Sequence, residues 1–151
     1  MTGMKIVSDL LKDAERELMH NLPDGNFWTI GKVIQDLTSA GLSDDVIASL
    51  MSRYRRDIET QQDWLLGQDL AGVQAGLSNT AQLISIGIDW PELRSLIEKN
   101  KHSIMYSTLW EIANSNEHMY VNDGLPILYG DLVKIGVAWP EMNIINRSLK
   151  G

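Results

Sequence analysis

Cysteine is absent from the 151 residues, which excludes a disulfide framework, thiol catalysis, zinc fingers and iron–sulfur ligation together. No apolar run approaches the roughly 18–20 residues that a membrane span needs. The opening stretch, Met1 to Val7, becomes amphipathic and charged at once, unlike a secretory signal. Histidine is scarce, and His20, His102 and His118 show no His-Glu-x-x-His spacing. Glu117 beside His118 reads as a polar loop pair rather than a metal site. Glycines follow no phosphate-cradling or dinucleotide pattern, and no serine sits in a Gly-x-Ser-x-Gly elbow. Basic charge is in deficit as well. Thirteen Lys and Arg stand against twenty Asp and Glu, for a net charge of −7. That field opposes phosphate backbones and anionic membranes. The expectation is an intracellular, cytoplasmic protein without cofactor or metal, and with no membrane or nucleic-acid partner.

The chain does contain enough apolar material for a core. Hydrophobic residues make up 44% and charged residues 22%, ordinary for a globular protein. A length of 151 residues predicts one domain over 1–151, able to bury roughly 68–70% of its unfolded surface. Spacing is helical throughout, with no sustained period-two alternation. Val7, Leu10, Leu11, Ala14, Leu18 and Leu22 form one stripe, predicting a helix over 4–22. Phe27, Ile30, Val33, Ile34 and Leu37 form a second that stops at Gly41. Ile47, Leu50, Met51, Tyr54 and Ile58 form a third, starting at Ser43. Shorter helices are predicted around 60–66, 80–86, 90–98, 103–113, 126–135 and 139–148. The segment 67–76, with Gly67, Gly72 and Gly76, reads either as a loop or as a closely packed helix of small residues. The fold class expected is all-α, a compact array of about seven or eight helices.

A motif recurs three times: Leu37 to Gly41–Leu42 to Leu50, Leu83 to Gly87–Ile88 to Leu96, and Leu132 to Gly136–Val137 to Ile145. The glycines lie 46 residues (41 to 87) and 49 residues (87 to 136) apart, a spacing compatible with stacked helical hairpins. Each copy predicts a helix ended by a left-handed glycine, then an apolar residue, a cap and a second helix. With Ser43 or Asp89 as N-cap, Leu42 and Ile88 staple onto Ile47 and Leu93. Asp89 with Glu92 resembles a capping box. Ala138 would be a poor cap in the third copy. Pro91 and Pro140 would sit in the first turn. The predicted units span 26–58, 73–100 and 122–149.

Function is written less plainly. The leading expectation is a non-enzymatic protein-binding module, a small regulator, adaptor or inhibitor with a helical, acidic surface for a basic partner. Between Asp57 and Glu92 there are six acids and no Lys or Arg, and such asymmetry speeds encounter with a complementary surface. Trp90 and Trp139 recur in matching corners, each followed by Pro and then by Glu92 or Glu141. They read either as wedges between units or as interface anchors. Tyr106, Tyr120, Tyr129, Asp63 and Asp69 are possible companions. Trp28, Trp64 and Trp110 fall beside apolar stripes, where packing is the default. An alternative is a DNA-binding helix-turn-helix over 37–56, with Arg53, Arg55 and Arg56 on phosphates. Against it, Asp44 and Asp45 open the helix that would approach the bases. A second alternative is an enzyme whose Asp, Glu, His and Tyr are scattered. A self-pairing apolar edge would make a homodimer.

Overall fold

The computed structural model describes residues 2–22, 27–113 and 125–149, with side chains for 7–22, 27–110 and 127–147. Glu117, His118, Tyr120 and the first residues of the predicted unit 122–149 lie outside it. The described residues form helices and no strand. In chain order these are α1 (Thr2–Asn21), α2 (Thr29–Ser39), α3 (Asp44–Arg53), α4 (Arg55–Leu66), α5 (Leu70–Ser85), α6 (Pro91–Lys99), α7 (Lys101–Ala113), α8 (Leu125–Ile135) and α9 (Met142–Leu149).

All three glycine corners share one geometry. Gly41, Gly87 and Gly136 have φ of 90°, 93° and 91°, and no other described residue has a positive φ. At each corner the amide after the glycine reaches back five residues: Leu42 to the Leu37 carbonyl (3.1 Å), Ile88 to Leu83 (3.0 Å) and Val137 to Leu132 (3.0 Å). The glycine amide bonds Thr38, Ile84 or Val133, also at 3.0 Å. This is the Schellman pattern, which satisfies the last carbonyls of a helix and requires the left-handed residue.

The helix starts after two of the corners differ from expectation. Ser43 caps α3, its Oγ accepting from the Val46 amide at 3.4 Å. Asp89 does not cap α6; Trp90 is the N-cap, extended at φ −70° and ψ 127°, with Pro91 in the first turn. The cause is steric, because a residue before proline is barred from the helical region. Asp89 pairs instead with Arg94 Nε at 3.2 Å. Ala138 is likewise not a cap. α9 begins at Met142, and the Trp139 carbonyl accepts from the Met142 amide (3.1 Å) as the Trp90 carbonyl accepts from Leu93 (3.0 Å).

The third predicted stripe also divides. Tyr54, at φ −113° and ψ 19°, ends α3 and opens α4, and Asn100 makes the same joint between α6 and α7 at φ −99° and ψ 14°. The segment 67–76 holds the start of a helix, not a loop: α5 runs unbroken from Leu70, capped by Asp69. A Cβ at Gly76 would lie 2.9 Å from Leu66 Cδ2, so the glycine lets α4 approach closely.

α2, α5 and α8 lie side by side, α5 touching both neighbours. One apolar cluster joins Leu18 and Leu22 of α1 to Ile30, Val33 and Leu37 of α2, with Ile47, Leu50, Met51, Ile58 and Leu83. A second joins Val73, Leu77 and Ala81 of α5 to Leu128, Leu132 and Ile135 of α8, with Ile97, Ile104, Trp139 and Ile145.

Candidate functional site

The two Trp–Pro–Glu corners are built alike, each closed by the first residue of a helix from the preceding unit. Arg55, which opens α4, holds its guanidinium 5.1 Å from the centroid of the Trp90 ring and pairs with Glu92. Lys101, which opens α7, holds its ammonium 5.4 Å from the Trp139 ring and pairs with Glu141 at 3.2 Å. A cation at a helix N-terminus opposes the macrodipole, and here ring face and carboxylate offset that. Trp139 is only 8% exposed and its indole N–H donates to Glu98 at 3.0 Å. Trp90 is partly buried against the first cluster. A hydrogen bond from its own backbone amide, with the bond from Lys101 second, holds the Glu141 carboxyl below its ordinary range.

The remaining candidates are dispersed. Asp63 accepts from Asn100 Nδ2 (3.0 Å) and Lys99 Nζ (2.9 Å), tying α4 to the joint after α6. Those bonds, Asn100's first, lower its pKa. Asp69 is a helix cap, accepting from the Gly72 amide at 3.3 Å. Tyr106 is exposed on α7, stacked on His102 with ring centroids 6.3 Å apart. Of the basic cluster, Arg53 pairs with Glu15 at 2.8 Å and Arg55 is held in its corner. Arg56 alone of the three makes no ion pair among the described residues. A cleft of about 320 Å³ lies at the Gly136 corner, lined by Arg94, Glu98 and Trp139. Its polar groups serve the fold, since Arg94 also donates to the Ile135 carbonyl. No group of three or more His, Asp or Glu among the described residues is placed to hold a metal. Among the described residues, no helix is long and apolar enough to cross a membrane.

What the structure brings to the surface is a different set of aromatics. Trp28, Trp64 and Trp110 are 50%, 45% and 47% exposed. Phe27 meets Trp64 edge to face with centroids 5.5 Å apart, and Trp28 follows Phe27 in the chain. Beneath them runs a buried polar network. Asn79 Nδ2 donates to the Phe27 carbonyl (3.0 Å) and to Gln62 Oε1 (3.2 Å), while its Oδ1 accepts from the Gly31 amide (3.1 Å). Gln62 Nε2 donates to the Gly76 carbonyl and to Thr80 Oγ1, both at 2.7 Å. Trp28, the N-cap of α2, makes no side-chain capping bond. Asn79 therefore caps α2 from across the core and locks Phe27 to the helix that carries Trp64. On α4, Asp57 lies two turns before Trp64 on the same face, exposed and without an ion pair among the described residues.

The apolar stripes predict core or partly buried packing for these tryptophans; the structure leaves each about half exposed. Trp64 and Trp110 stand at the 46-residue offset carried past the corner, as do Tyr54 and Asn100, and Arg55 and Lys101; the offset pairs these residues without telling exposed from buried. No family model, curated protein or solved structure matches this chain.

Proposed function

We propose that this chain is a non-enzymatic protein-binding module that docks a partner on the platform formed by Phe27, Trp28 and Trp64. The observation that carries the reading is the edge-to-face pair of Phe27 and Trp64, held from below by the Asn79 network and half open to solvent. Large aromatics on a rigid base anchor interfaces at low entropic cost. The charge favours a basic partner, because the chain carries −7 overall. The internal corners use the same chemistry, an Arg or Lys over a Trp beside a carboxylate. Trp90 and Trp139 act as wedges between successive helical units in this reading.

The test is affinity capture with the intact chain, followed by mass spectrometry and titration of the purified partner. Trp64→Ala is expected to abolish capture while the circular dichroism spectrum stays unchanged. Undiminished capture by Trp64→Ala would reject the platform. Binding to duplex DNA with a steep salt slope that Arg56→Ala flattens would replace this reading with the nucleic-acid one.

A further inference from the structure

The row α2, α5, α8 has two ends, and they are finished differently. Counting back from the corner glycines, one ridge recurs on all three helices: Gly31, Gln35 and Thr38 on α2, Leu77, Ala81 and Ile84 on α5, and Gly130 and Val133 on α8. On α2 only the first residue of this ridge is buried against α5: a Cβ at Gly31 would lie 3.1 Å from Asn79 Oδ1, while Gln35 and Thr38 are exposed at the rim of a cleft shared with Gln82 and Ile86. On α5 it meets α8, with Leu77, Ala81 and Ile84 packed into the cluster that holds Leu128, Leu132 and Ile135. On α8 the ridge faces outward. Val133 is 53% exposed, its neighbour Ile127 is 63% exposed, and a Cβ at Gly130 would touch nothing within 4 Å.

We infer that a second copy of this chain covers this ridge, α8 against α8 about a two-fold axis. Three observations select that occupant. The matching ridge of α5 is the one on which the fold already seats α8, so its shape suits a helix of this same kind. The opposite end of the row is closed, because α1 lays Ala14, Leu18 and Leu22 over α2 and Glu17 pairs with Lys32 at 2.7 Å. Head-to-tail stacking is thereby blocked, and the pairing left for two copies is the isologous one, which closes at a dimer. Finally, the face is nearly free of the chain's acidity. The one acid of α8, Asp131, is buried, and its charged neighbour is Lys134. A single helix face belongs to the small, exchanging class of interface, under about 1,200 Å².

Sedimentation velocity on the full chain, from about 1 µM to about 1 mM, tests this. The wild type is expected to move from the 17.0 kDa monomer toward twice that mass. Val133→Glu should stay monomeric with an unchanged helical spectrum, and Trp64→Ala should dimerise like the wild type. Since the chain has no cysteine, Gly130→Cys should form an intermolecular disulfide on oxidation, whereas Val7→Cys on α1 should not. A monomer at every concentration overturns the inference, and so does a dimer that survives Val133→Glu. Equal crosslinking at positions 7 and 130 overturns it too, and needs no destabilising variant.

Discussion

The corner tryptophans and the helix-face tryptophans are the same residue put to opposite uses. Trp139 lies in the second core cluster under Lys101, with its N–H on Glu98. Trp64 stands half out of α4, with Phe27 packed edge to face against it. Both recur at matching positions, Trp139 with Trp90 and Trp64 with Trp110. Spacing along the chain therefore does not decide which is buried. The decision is made by whether the first residue of a preceding helix supplies a cation to close over the ring beside the corner's own carboxylate.

That contrast is sharpened first by Trp139→Ala, which removes a buried indole and leaves Glu98 and Lys101 facing a cavity. Denaturant unfolding should show a loss of about 3–5 kcal/mol; a loss below about 1 kcal/mol would erase the distinction between the two classes. Next is Asn79→Ala, which uncaps α2 and strands Gln62 in the core. A loss of about 2–3 kcal/mol is expected in the same assay, together with a change in Trp fluorescence as Phe27 is released.

A smaller effect concerns two carboxyls with opposite environments. Asp63, lowered by Asn100 and Lys99, contributes stability that is fully present above the ordinary carboxylate pKa. That contribution disappears as pH falls through its lowered native value. Asp131, raised by burial and partly offset by Lys134, has the reverse sign. The fold favours its neutral form, so stability is lost as pH rises through its native value. Asp63→Asn should flatten the acid limb of the stability curve. Asp131→Asn should gain on the wild type as pH rises from the ordinary value of 3.8 toward neutrality. Melting temperature measured from pH 3 to pH 7 (about that span brackets both groups) checks the two signs together.

Much of this architecture could be read from the residues, and the misreadings have physical causes. The glycine corners were legible because a left-handed residue after a helix is a local demand that few side chains meet. Pro91 reads as a first-turn residue, but its steric restriction on Trp90 moves the cap one residue on from the expected Asp89. The break at Tyr54 escapes because the apolar spacing from Ile47 to Ile58 runs straight through it, whereas the separate helices expected over 90–98 and 103–113 leave room for the joint at Asn100. Phe27, Trp64 and Asn79 are the hardest case. Their assembly depends on contacts across 37 residues (27 to 64) and 52 residues (27 to 79) of chain, which no local pattern encodes.

The most direct test pairs stability with binding in the single variant Trp64→Ala. A half-exposed ring should cost at most about 1 kcal/mol, a shift of roughly 2–4 °C in Tm, while the captured partner is lost. A collapse in Tm comparable to that of Trp139→Ala, or partner binding at wild-type strength, would contradict the account.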